Sequence, residues 1–152
     1  MNSRDIIKAE LFKVAYVHSY GKAGLYGEIV AWCLANRVRR NMGNWLEVIA
    51  NVSKYQASEP DSTPYPPNVW EPNVVKLLHA IDDIYDNAGL DQSNGGLYWC
   101  FTENGANEWF RENVIANDDL SVTATQNSLR VWGPKKTIGA PYDPRFTHQG
   151  RW

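Results

Sequence analysis

The sequence predicts an α+β domain: a helical N-terminal half, a small antiparallel β-sheet in the C-terminal half and an extended C-terminal tail. Three observations carry this. Apolar residues recur at helical spacing as far as Ile84. The period shortens to two after the breaker Asn94-Gly95-Gly96. From Gly133 onward periodicity is lost, and Pro, Gly and basic residues take over. A chain of 152 residues suits one domain with a real core. The spacing places that domain at residues 1–133, with a tail over 134–152.

The helices come first. From about Arg4 to Ser19, the residues Ile7, Leu11, Val14 and His18 share one face, and Gly21 is placed to cap the end. Glu28 to Arg40 reads as a second helix, with Ile29, Trp32, Cys33 and Asn36 on one side. Asn44, with Glu47 three residues on, forms a capping-box pattern that opens a short helix through Ala50. Ser53 to Trp70 is polar and rich in proline, a long loop of the kind that often carries function. Pro72 suits a first helical turn. Val74, Leu77, Leu78, Ile81 and Ile84 make the clearest amphipathic helix. After the breaker, Leu97 to Phe101 reads as a buried strand. Glu108 to Ile115 reads as a short helix or an irregular segment. Leu120–Thr125 and Ser128–Trp132 alternate on either side of Gln126-Asn127, which predicts a hairpin.

Composition narrows the function. With 43% apolar and 21% charged residues, the chain is an ordinary globular one rather than disordered. A net charge of −2 gives no basic excess, so no nucleic-acid partner is expected. No apolar run is long enough to span a membrane, and Met1 to Asp5 lead into a mixed-charge segment rather than a secretory signal. The expectation is synthesis in a cytoplasm, with another agent delivering the protein if it acts outside. Cys33 and Cys100 lie in apolar runs and read as free buried thiols more than as a disulfide. No cofactor is expected. No metal site is expected either: His18, His79 and His148 are far apart, and His79 with Asp83 makes at most half a site. Neither a phosphate-binding glycine loop after a strand nor a nucleophile elbow is present. Seven Trp and eight Tyr suit both a core and a sugar-binding groove. The tail carries basic groups with Tyr142, Phe146 and Trp152. It reads either as lying on its own domain or as docking a protein partner or an anionic polymer.

Several short motifs occur in a telling order. Leu11 to Gly21 reads LFKVAYVHSYG, and Asn36-Arg37-Val38 lies in the next helix. Val48-Ile49 is followed by Gln56-Ala57-Ser58, then by Gly95-Gly96-Leu97-Tyr98-Trp99 after the long helix, and by an alternating segment near Val131. This order, over about residues 5 to 132, resembles that of the SleB-type cell-wall hydrolases. Their first helix ends in Glu-Ala-Arg-Gly-Glu, and Gly21 falls on the motif glycine. The resemblance implies a lysozyme-like scaffold that cleaves the glycan strand of peptidoglycan as a lytic transglycosylase. Its partner would be peptidoglycan or another glycan. Without a signal, such an enzyme fits phage lysis or a place on a virion. By family position, Tyr20, Asn36, Tyr55, Gln56, Ser58 and Tyr98 would line the substrate groove. Of the strand pair Tyr98-Trp99, one side chain should face the core, with Trp99 the better core residue.

The sequence departs from the family at the decisive position. The catalytic glutamate falls on His18, and the second motif acid falls on Lys22. Transglycosylation needs a group that protonates the glycosidic oxygen and then assists attack by the sugar's own hydroxyl. A histidine there adds positive charge beside an oxocarbenium-like transition state. Three roles for His18 stay open: a cation-compatible residue at a helix C-terminus in a non-catalytic relative, a bystander while Glu28 supplies the acid, or a catalytic group of altered chemistry. Glu103 is a second loop acid to weigh. The two functions in view are therefore peptidoglycan cleavage and a non-catalytic glycan-binding or assembly role. A carboxyl group facing the groove would separate them.

Overall fold

The computed structural model describes residues 2–58 and 63–135. The fold is α+β. Helix α1 spans Ser3–His18, α2 Glu28–Arg39, α3 Trp45–Ala50 and α4 Pro72–Tyr85. A kinked segment, Ala23–Gly27, with non-helical backbone at Gly24, leads into α2, and a 3-10 turn, Val52–Tyr55, follows α3. The strands are β1 Tyr98–Phe101, β2 Leu120–Gln126 and β3 Leu129–Pro134. Between β1 and β2, α5 (Glu108–Phe110) runs on into a π-helical turn, Arg111–Ile115. No helix among the described residues is long and apolar enough to cross a membrane.

Local chemistry accounts for the helix ends. Asn2 accepts from the Asp5 N–H, and Asn44 and Glu47 form the full reciprocal capping box. Pro72 opens α4. At the end of α1, the Gly21 N–H bonds the Tyr16 carbonyl at 2.9 Å and the Tyr20 N–H bonds that of Val17 at 3.0 Å. This closure puts a tyrosine, not only the expected glycine, in left-handed backbone: Tyr20 has φ +57° and Gly21 +75°.

Helix α2 is the centre of the molecule. Every residue from Ile29 to Arg37 is buried, so the expected one-sided burial of this helix is corrected to burial all round. Helices α1, α3 and α4 pack around it. Arg4–Asp86 and Lys8–Asp82 ion pairs, at 2.7 and 2.6 Å, join α1 to α4 along their exposed flank.

The sheet order is β1-β3-β2, all antiparallel. Alternation divides its faces. Trp99 and Phe101, with their partners Val131 and Leu129, join the helical core. Cys100 and Trp132 turn the other way and pack with Phe110 and Val114 of the α5 segment, forming a smaller second core. The hairpin turn is Asn127-Ser128, one residue later than expected, with Asn127 at φ +51°. Asparagine tolerates that conformation, whereas Gln126 stays in the strand. Strand β3 includes Pro134, opposite Leu120, so the domain boundary drawn after 133 moves outward. Residues 136–152 of the expected tail lie outside the described residues. Cys33 and Cys100 are free and buried.

Candidate functional site

A small, open cleft of about 10 Å³ lies where the end of α1 meets the segment after the 3-10 turn and strand β1. His18, the last residue of α1, and Tyr20, from the turn after it, form one wall. The segment gives Gln56, Ala57 and Ser58, and the strand gives Trp99, Cys100 and Phe101. Three consecutive strand residues, whose side chains alternate, line it together, so the cleft follows the unpaired edge of β1. Asn107 holds the opposite wall: its N–H donates to the Ala57 carbonyl at 2.7 Å and its side-chain amide to that of Gln56 at 3.2 Å.

Aromatic edges shape the interior. His18 meets Trp99 edge to face with ring centres 6.1 Å apart, and Tyr20 meets Phe101 likewise at 5.2 Å. The left-handed turn at Tyr20 directs its ring into the cleft, where its hydroxyl hydrogen-bonds that of Ser58 at 2.9 Å. Gln56 is buried, and its Oε1 has no hydrogen-bond partner among the described residues. Burial, aided by the charge of Arg37, pushes the His18 imidazole down to about 4. At neutral pH it is an uncharged ring and a poor proton donor.

Four of the eight residues expected at the site line this cleft: His18, Tyr20, Gln56 and Ser58. Glu28 does not. Its carboxylate lies under α4, 3.9 Å from Lys76, with its side chain largely buried. Burial raises its pKa, against the opposing effect of Lys76, and Oε2 has no hydrogen-bond partner among the described residues. Glu103, the other candidate acid, pairs with Lys22 at 2.9 Å, and both side chains are half exposed. No carboxylate among the described residues lines the cleft.

Asn36 is also elsewhere. Its side-chain NH2 lies 2.9 Å from Asp91 Oδ2, 3.1 Å from Ser93 Oγ and 3.0 Å from the Gly96 carbonyl. Asp91 in turn accepts from the backbone N–H groups of Ser93 and Gly95. This buried network ties α2 to the turn before β1, so Asn36 positions the strand rather than touching a ligand in the cleft. Asp91 and Ser93 were not singled out from the sequence. An Asp two residues before a Ser, leading into Asn-Gly-Gly, is the local turn chemistry that would have found them.

Tyr55 and Tyr98 do not line the cleft either. Together with Trp99 they surround the guanidinium of Arg37, whose carbon lies 5.2, 5.3 and 4.9 Å from the three ring centres. Arg37 is 1% exposed, and its Nε donates to the Leu97 carbonyl at 2.8 Å. Neither Nη1 nor Nη2 has a hydrogen-bond partner among the described residues. Burial lowers its pKa to about 10, and the thiol of Cys33 and the hydroxyls of Tyr98 and Tyr55 oppose that shift. Trp99 belongs to both places, packing on Arg37 and lining the cleft.

No group of three or more His, Cys, Asp or Glu side chains able to hold a metal occurs among the described residues. No family model, curated protein or solved structure matches the chain.

Proposed function

We propose that the chain binds a peptidoglycan-type glycan strand, in the cleft beside β1, as a non-catalytic relative of the SleB-type hydrolases on a lysozyme-like scaffold. The observation that carries this reading is the composition of the cleft. Aromatic rings and polar tips line it (Tyr20, Trp99, Phe101, Gln56, Ser58), which suits a sugar's apolar faces and hydroxyls. No described carboxylate accompanies them, and the residue at the family's acid position is an imidazole kept neutral by burial. Glycosidic cleavage needs a proton delivered to the leaving oxygen. Use at lysis or on a virion belongs to the same proposal.

One observation favours the enzyme reading: the Glu28 carboxyl is secluded and holds its proton more tightly than usual, as a general acid must. The test treats both. Purified peptidoglycan is incubated with the wild type, Glu28→Gln and His18→Glu, and sedimentation and released fragments are measured. Glu59 and Asp61, which follow Ser58 outside the described residues, are neutralised in a fourth variant. The expected result is co-sedimentation without fragments from the wild type, and anhydro-muropeptides only from His18→Glu. Fragments from the wild type would overturn the non-catalytic reading. Their loss in Glu28→Gln, or in the fourth variant, would then assign the acid. Failure of the wild type to sediment with the wall would overturn the glycan reading itself.

A further inference from the structure

The size of the cleft beside β1 restricts what can enter it. About 10 Å³ is room for one water-sized group, not for a sugar ring or a peptide strand. Its polar lining is of two kinds, side chain and backbone. Gln56 is 4% exposed, and its Oε1 has no partner among the described residues, whereas the Tyr20 and Ser58 hydroxyls bond each other. A buried amide oxygen without a partner is costly. The His18 ring is neutral at pH 7, so it carries one N–H donor and one acceptor nitrogen. Neither is hydrogen-bonded among the described residues.

The backbone part follows from the register of the sheet. The Thr102 N–H bonds the Ser128 carbonyl at 2.8 Å, and β1 keeps one register with β3 from Tyr98 to Phe101. Bonded and non-bonded pairs alternate in an antiparallel ladder, so the peptide groups of Tyr98 and Cys100 bond β3. The N–H and carbonyl groups of Trp99 and Phe101 point the other way, to the unpaired edge that the cleft follows.

We propose that the cleft is a receptor for a single O–H group, which donates to Gln56 Oε1 and accepts from the free edge of β1, with the His18 imidazole as a third partner. The chemistry of the lining selects this group. Acceptors and donors without partners face one small space, and an O–H serves both. A carboxylate would leave the Gln56 oxygen unsatisfied. An ammonium would add charge near the buried Arg37, whose field already acts on His18. A methyl group would satisfy neither kind of partner. Two sources supply the group: water in the free protein, and a sugar hydroxyl that displaces it in the complex. The second rests on the glycan reading, and the first does not.

The test begins with the free wild type in solution. Magnetisation transfer from water to the Trp99 and Phe101 amide protons and to the Gln56 side-chain amide should give NOE and ROE signals of opposite sign, the mark of a bound water. Gln56→Met keeps the length of the side chain and removes its polar atoms, and the transfers should then be lost. The fold of the variant is read from the Ala57 and Asn107 amides, since the bonds between these segments do not involve the Gln56 side chain. No such transfer in the wild type, or its survival in folded Gln56→Met, would overturn the proposal. Should Gln56→Met not fold, a high-resolution crystal structure of the wild type decides the point. One oxygen within hydrogen-bond distance of Gln56 and the β1 edge supports the site, and none there overturns it. The second arm adds a soluble peptidoglycan oligomer. Saturation should abolish the water transfer, and Gln56→Met should weaken binding about 2- to 10-fold, the range of one neutral hydrogen bond. An oligomer that binds while the water stays, or that binds both proteins alike, would overturn the sugar hydroxyl and keep the water. No binding of the oligomer, with the water in place, would remove the glycan reading and leave the hydration site standing.

Discussion

At the scale of single residues, the chemistry turns on groups that burial has altered. The His18 imidazole titrates near 4 in the folded protein and near 6.5 in the unfolded chain. Between those values the unfolded chain holds a proton that the folded protein lacks, so stability falls as pH drops from about 6.5 to about 4. The loss is on the order of 3 kcal/mol. Urea unfolding at several pH values should give a steep acid limb in the wild type and a flatter one in His18→Phe. Equal slopes would mean that His18 is not the buried neutral base described. Asn36 gives a second case. Asn36→Ala removes the donor shared by Asp91, Ser93 and Gly96 and strands buried acceptors, one of them on an acid. The expected cost is about 2–4 kcal/mol in urea unfolding. A loss below about 1 kcal/mol would show that the network does not depend on it. These residues also mark what the sequence made legible at the site. His18, Tyr20, Gln56 and Ser58 stand out because a motif order surrounds them. The cage around Arg37 did not, because its rings come from a 3-10 turn and a strand far apart in sequence, and only the fold brings them together.

Elements were the most readable level, and for local reasons. The capping box at Asn44 is written in two residues three apart, and it forms as written. Asn44→Ala should lower stability by about 1 kcal/mol, measured by thermal or urea unfolding. An unchanged midpoint would mean that α3 is held by its packing alone. The period-3.6 pattern of α4 likewise buries Val74, Leu77, Ile81 and Ile84. Where the reading failed, tertiary structure had overridden local preference. The pattern in α2 marks one apolar side, but neighbours on all sides bury the rest, including an arginine. Tyr20 adopts a glycine-like conformation because its ring and hydroxyl are held in the cleft. Close approach of helices is another feature no local pattern gives. A Cβ on Gly27 would lie 2.8 Å from one methyl of the fully buried Leu77 and 3.2 Å from the other. Gly27→Ala should therefore destabilise by about 1–3 kcal/mol despite alanine's better helix propensity. A stabilised variant would mean that α4 moves aside freely.

The whole molecule is organised around α2, and that arrangement predicts how it comes apart. The helical core gathers α1 to α4 and one face of the sheet, whereas the second core joins the opposite face to the α5 segment. The two layers share β1 and β3. The polar link from α2 to this sheet is the Asn36 network together with the Arg37–Leu97 bond. Native-state hydrogen exchange should therefore rank the amides. Those in α2 should exchange only through global unfolding, since every residue from Ile29 to Arg37 is buried. Amides of β2 should exchange sooner, because it is an edge strand with much of its surface half exposed. Cutting the polar link sharpens the contrast. In Asn36→Ala the α2 amides should follow the loss of global stability, while β1, β3 and the α5 segment should open at a lower free energy of their own. If sheet and helices instead lose protection by the same amount, the molecule is one cooperative unit. The cleft would then be a rigid slot, fixed by the fold, rather than a seam between two layers of unequal stability.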